Sequence, residues 1–319
     1  MPAPQAPSAP KNWKLLVFEA LAVLLAGAVG YGCLLYFSGG VNFLLFAVTA
    51  ACFLLASFFS FLFARDRRRR MIAAFLQILA FLAFFYAAGF GVLCSAFGIL
   101  VVFYFLAGRR ADALAENSLK FKLGPLARAY MKKIFLGFAV AAIILYLPQW
   151  NSGTIFVPQP QFQRWYEGFA NIGEKFHAGI NFRSSVGAFA ENIVRVQLST
   201  NPQFDQLPAA EKEKVVRKAV QEMVSNTGKN AGIALTADMP LAEAFYRYLF
   251  NLFSSFKTQF GDSFLAAWAV ALFVIVWSVG SLVIWLVVAA AYLLFELFAA
   301  FNLVHIAGEA CTKEVIQLS

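Results

Sequence analysis

Charge is scarce in this chain. Only 13% of its 319 residues are Asp, Glu, Lys or Arg, against about 25% in a soluble globular chain. The place of charge is taken by apolar side chains, 61% of the total, and the mean hydropathy is +0.69. A water-soluble domain is excluded as the main architecture. Cysteine is equally sparse: Cys33, Cys52, Cys94 and Cys311 are the full set, and none lies between 148 and 262. A disulfide framework and a C-x-x-C metal pair are therefore excluded for that region. The same region has no N-x-S/T acceptor, which argues against a glycosylated eukaryotic ectodomain and for a prokaryotic cytoplasmic membrane. His177 and His305 are the only histidines. G-x-S-x-G, H-E-x-x-H and P-loop patterns are missing. The expectation is a chain with no cofactor, no metal and no enzymatic activity.

Long apolar runs are what the chain has in abundance. Pro- and Ala-rich residues 1–14 read as a disordered cytoplasmic tail. The run from Leu15 to Phe37 is long enough for a bilayer core of about 30 Å. A cleaved signal peptide ending near Ala26-Gly27-Ala28 is the rival reading, and the length of the run favours an uncleaved span. Ala22, Ala26 and Gly30 recur at a spacing of four and suit close helix contact. Glu19 falls in the first turns, where proximity to Lys14 and the interface makes it tolerable. A second run spans Val41 to Ala64. A third apolar stretch, from Met71 to Gly108, would reach about 57 Å as one helix, nearly twice the core. The paired glycines Gly89 and Gly91 divide it into spans near 71–88 and 91–107. Residues 15–108 thus read as a four-span bundle with two tight hairpins.

Residues 109–133 read as a basic connector in the headgroup plane, interrupted at Gly124-Pro125. A short fifth span over 134–147 ends at Pro148. From 148 to 262 the charges return in near balance, eleven Lys/Arg against ten Asp/Glu. Helical periodicity appears there four times, led by Phe162, Val186, Val215 and Phe245. A helical domain of about 115 residues is large enough for a small core. The last apolar stretch, from Phe264, reads as a single span that continues past Glu296 into an amphipathic cytoplasmic helix ending the 263–319 segment. A hairpin broken at Ser278 to Ser281 is the alternative. The fold class is all-α: about six spans, with a helical domain between the last two.

Orientation follows from the basic residues. Two lie before the first span, five are Arg65, Arg67, Arg68, Arg69 and Arg70, seven lie in the connector, and one lies near the C-terminus. The short turns on the opposite side hold none. Cytoplasmic short loops carry the Lys/Arg excess. The N-terminus and the arginine cluster are expected inside, and 148–262 outside. Arg109, Arg110, Lys132 and Lys133 join the cluster as topology anchors facing anionic headgroups. This placement beside spans, rather than on a polar domain, speaks against nucleic-acid binding.

Four polar residues stand out near the end of the chain. Glu296 would be an intramembrane acid under the hairpin alternative and an interfacial one under the single-span reading. Asn302, His305 and Glu309 would share one face of the expected C-terminal helix. The function expected is a non-enzymatic membrane scaffold that presents its outer domain to a protein partner or to another copy of itself. A channel or transporter for a small solute or ion is the runner-up.

Overall fold

Glycine and the cluster of charge at 66–70 cut the apolar runs into helices, and the helices set the architecture. The computed structural model describes residues 13–37, 43–64, 66–116, 122–151, 159–176, 181–200, 204, 206–309 and 313–318. Arg65, His177 and Cys311 fall outside the described residues, as does the turn at 38–40. The chain divides into two compact units, Met1–Gly153 with Ala267–Ser319, and Thr154–Ala266.

The first unit holds α1 (Trp13–Phe37), α2 (Phe43–Phe63), α3 (Arg67–Leu82), a 3-10 turn (Ala83–Ala88), α4 (Phe90–Glu116) and α5 (Leu123–Asn151). Among the described residues, six helices are long and apolar enough to cross a membrane. These five are joined by α10 (Asp262–Ala300), whose 39 residues reach about 58 Å. In hydrocarbon every backbone polar group must be satisfied within the protein, and an uninterrupted helix does this. Gly89 breaks the helix between α3 and α4 because it sits at φ 88, a region that favours glycine. α10 runs unbroken through Ser278, whose hydroxyl donates to Val274 O, one turn back, at 2.8 Å.

Aromatic rings fill the interior of this unit. Phe53, Phe58 and Phe81 are fully buried. Phe138 of α5 meets Phe53 of α2 at 4.9 Å and Phe81 of α3 at 4.8 Å between centroids, both edge-on. Edge-to-face pairs are worth about 0.5–1.5 kcal/mol each beyond burial. This packing gives much of the large phenylalanine content a structural use. On the other side of α3, the small-residue stripe of α1 lets two backbones touch. Ala22 and Ala26 are buried, and a Cβ added at Gly30 would lie 2.3 Å from Phe81 O.

Three sequence expectations are corrected here. Residues 109–133 do not lie apart as a broken interfacial connector. The helix of α4 continues through Arg109 and Arg110 to Glu116, and α5 begins at Leu123. Pro125 falls in the first turn of α5, where no backbone donor is required of it. The fifth span is therefore not confined to 134–147, and the helical backbone passes Pro148 to reach Asn151. The C-terminal helix is not formed beyond Ala300. Asn302 takes a left-handed φ of 54; its N–H donates to Ala299 O at 3.0 Å, and Leu303 N–H donates to Phe298 O at 2.9 Å. That nested pair is a Schellman cap and ends α10. Strands β1 (Val304–Glu309) and β2 (Lys313–Leu318) then pair antiparallel, with His305 opposite Gln317 and Glu309 opposite Lys313.

The second unit contains α6 (Gln159–Phe176), α7 (Val186–Ser199), α8 (Ala209–Ala231) and α9 (Leu241–Phe260). Ser185 caps α7 by accepting from Ala188 N–H at 3.3 Å. Gly232, at φ 65, closes α8. The segment after α8 returns to the start of α7: Val186 N–H donates to Met239 O and Gly187 N–H to Ala237 O, each at 2.8 Å. Val186, Ala190, Val224, Met239 and Leu241 form the small core beneath it. Helix α6 packs on α9 through Phe162 against Tyr246 and Tyr166 against Phe245, and the Tyr166 hydroxyl donates to Phe182 O at 2.9 Å.

The glycine contacts make a paired prediction. Gly30→Leu should lower the midpoint of thermal unfolding in detergent strongly, because Phe81 backbone stands where the side chain must go. Gly27→Ala, whose Cβ would meet only contacts of 3.8 Å and beyond, should leave it nearly unchanged. Equal effects from the two would show that α1 and α3 do not pack as described.

Candidate functional site

The arginine cluster is the densest set of charged contacts in the first unit. Asp66 starts α3 by accepting from Arg68 N–H at 3.0 Å. That cap sets the direction of the four arginines that follow on the first turn. Arg69 reaches α1 and grips Glu19 with two donors, Nε to Oε1 at 2.7 Å and Nη2 to Oε2 at 2.9 Å. Glu19 is only 15% exposed and Arg69 35%. A forked guanidinium–carboxylate pair of this kind fixes geometry as well as charge. Glu19 is thus held by an arginine distant in sequence.

Arg70 makes three contacts at once. Its Nε donates to Ala64 O at the end of α2, its Nη1 donates to Asp112 of α4 at 2.7 Å, and its guanidinium lies 4.4 Å over the Phe61 ring. Arg67 of α3 and Arg109 of α4 both lie over Phe105, at 6.0 and 5.5 Å. The cluster therefore ties α1, α2, α3 and α4 at one end of the unit. Arg68 and Arg110 are exposed there. On α5, Arg128 lies 3.6 Å over Trp285 and Lys132 4.9 Å over Trp277, both rings belonging to α10. Lys133, its neighbour, is half-buried.

The knot continues inward through rings. Phe61 carries Arg70 and also stacks on Tyr130 of α5 at 4.5 Å. Tyr130 shares a buried hydrogen bond with Ser57 of α2 at 3.2 Å. Nearby, the Tyr104 hydroxyl of α4 donates to Gln77 Oε1 of α3 at 2.8 Å. Gln77 is 2% exposed. The only amide of the third span is thus a helix-to-helix acceptor.

The four polar candidates of the chain's end do not share one helix. Glu296 is exposed on α10, one turn after Tyr292. Asn302 is the left-handed residue of the cap, and His305 and Glu309 are on β1. Their expected common helical face does not exist. Among the described residues there is also no group of three or more His, Cys, Asp or Glu side chains able to hold a metal.

The second unit carries a groove of about 770 Å³, bounded by α7, α8 and the segment after α8. Val216, Val220 and Val224 supply an apolar wall, while Glu191, Arg217 and Lys229 supply charge around it. Arg195 bridges the two helices beside it, donating to Glu191 and to Glu213 at 2.8 Å. That guanidinium holds the Glu213 carboxyl below its ordinary value of 4.5. Apolar walls with charge around them are the make-up of a binding concavity. The groove was not singled out from the sequence, because its walls come from two helices and a loop brought together only by folding. The valines belong to the helical segment that the sequence periodicity marks at Val215.

Comparison with known proteins gives no match, whether to family models, curated proteins or solved structures. The site is therefore argued on its own geometry.

The Glu19–Arg69 pair yields a direct test. Glu19→Arg and Arg69→Glu should each lower the unfolding midpoint in detergent, and the double swap should recover most of the loss. Coupling of contacting charges amounts to about 0.5–3 kcal/mol. Strict additivity of the two losses would show that the pair does not hold α1 to α3.

Proposed function

We propose that this chain is a non-enzymatic integral membrane scaffold, with its arginine-tied end in the cytoplasm and residues 154–266 displayed on the opposite side as a module for protein association. The observation that carries the reading is the groove beside α7 and α8, an apolar-walled, charge-rimmed concavity. The orientation rests on the distribution of Lys and Arg among the short segments. The exposed arginines at the knot, Arg68 and Arg110, suit anionic headgroups of the cytoplasmic leaflet. Helix lengths support the same side. If α10 enters the bilayer near Asp262, about 20 residues cross the core, and Glu296 lies beyond it at the cytoplasmic end. A scaffold of this kind sits in a cell membrane of prokaryotic type, and its partner is a second protein or another copy of the chain.

A channel or transporter draws less support. Its best motif would be the polar groups inside the bundle, Ser57, Gln77, Tyr104 and Tyr130. Each of these is spent on another side chain of the same set.

A photo-reactive amino acid placed at Val220 tests the groove. In membranes containing two differently tagged copies, the reading predicts an adduct, either between the tags or with a second polypeptide. Arg217→Glu should weaken that adduct several-fold while the protein level stays unchanged. A label at Val220 that reacts with no protein, in a chain that still folds, would overturn the proposal.

A further inference from the structure

The arginine cluster holds two kinds of charge. Arg69 and Arg70 are engaged inside the first unit, on Glu19 and on Asp112. Arg67 and Arg68 at the start of α3, with Arg109 and Arg110 on α4, are exposed, and among the described residues no carboxylate pairs with any of the four. Asp66, their neighbour in sequence, is committed to the cap through Arg68 N–H. Two of the four also converge. The Arg67 guanidinium lies 6.0 Å from the centroid of the Phe105 ring, and that of Arg109 lies 5.5 Å from it. An exposed ring holds a cation only weakly. Two like charges gathered on one ring repel each other, and an anion shared between them turns that repulsion into attraction.

We propose that this point, on the seam of α3 and α4, is a binding site for one anionic phospholipid, its phosphate held by Arg67 and Arg109. The proposal deepens the reading that the arginine-tied end meets lipid headgroups, and it rests on α3 and α4 crossing a bilayer. The donor type selects phosphate. A guanidinium presents paired N–H groups in a fork that fits phosphate oxygens two at a time, and it stays charged at any physiological pH.

Two further features select a phospholipid over a free anion. The first is depth. Arg109 stands about 27 Å along α4 from Gly91, close to the hydrocarbon thickness of about 30 Å. With the turn at Gly89 in one interface, Arg109 reaches the phosphates of the other. The second is what continues from the charges. Met71 and Phe75 follow Arg67 on α3 at steps of four, and Phe105 and Val102 precede Arg109 on α4 by four and seven residues. Such steps keep one helix face, and all four apolar side chains are exposed. Phe75 meets Phe97 of α4 edge-on at 5.8 Å, so the two helices touch along this row. Acyl chains gain contact there, and a free phosphate gains none.

Native mass spectrometry of the full-length protein, released from nanodiscs of phosphatidylcholine with phosphatidylglycerol, tests the site. One phosphatidylglycerol per chain should be retained in preference to phosphatidylcholine, and inorganic phosphate should not displace it. Arg67→Gln with Arg109→Gln should weaken retention about tenfold, through loss of two charge-assisted contacts. Arg68→Gln with Arg110→Gln removes the same charge from the same end and should weaken it far less. Neither pair carries an ion pair between helices, so the unfolding midpoint in lipid-free detergent should change little in either variant. The single variants Arg67→Gln and Arg109→Gln should each show an intermediate loss of retention. Equal losses from the two pairs would overturn the site and leave only diffuse attraction to the surface. Retention no better than that of phosphatidylcholine would overturn it too, as would displacement by inorganic phosphate. A spin label at Val102→Cys in a cysteine-free chain reports the crossing separately. Ready collision with oxygen, without selective lipid retention, would sink the site alone. Free access of a water-soluble nickel chelate would sink the crossing of α4 and the site with it.

Discussion

The contact between Arg69 and Glu19 is the one on which the first unit most depends. A charged carboxylate in the first apolar helix is costly unless a cation meets it with good geometry. Here a forked guanidinium from α3 does so, fifty residues away in sequence. Its neighbour Arg70 carries the tie onward to Asp112, to Ala64 and to the Phe61 face. A run of like charges would repel itself if left unpaired, and here two of its members are the fastenings of four helices. The rings behind them, Phe61 on Tyr130 and Phe138 on Phe53 and Phe81, convert that charged end into a packed interior. The bundle then closes at α1 and α3, where Gly30 lets the helix meet the Phe81 backbone without a side chain between.

Much of this was legible in the residues. Apolar length marks the spans, since few other structures need about 20 such residues in a row. Gly89 marks the turn between α3 and α4, because only a residue free of a Cβ readily takes its φ of 88. The four helices of the second unit are visible as aromatic and aliphatic periodicity. The stripe at Ala22, Ala26 and Gly30 pointed to close packing, though not to α3 as the neighbour.

The rest was hidden for physical reasons. Pro125 and Pro148 look like breaks, yet a proline in the first turn removes no donor the helix uses, and Pro148 lies three residues from the end of α5. Asn302 looked like a member of a polar helical face with His305 and Glu309. Its left-handed backbone ends the helix instead and sends the following residues into a hairpin, so that reading of those three side chains falls with it. The partners of Arg69 and Arg70 lie at separations that no local pattern encodes. The groove has the same origin: the space between its valines and the segment after α8 exists only in the folded unit.

Under the proposal, the groove beside α8 takes up a protein segment, which requires residues 154–266 and the arginine-tied end to lie on opposite sides of one membrane. Labelling with a membrane-impermeant maleimide tests that claim most directly, using single cysteines at Glu211→Cys in α8 and Glu116→Cys at the end of α4. In intact cells the account predicts labelling at 211 and none at 116 until the membrane is permeabilised. Labelling at 116 with protection at 211, or equal labelling of both in intact cells, would contradict it.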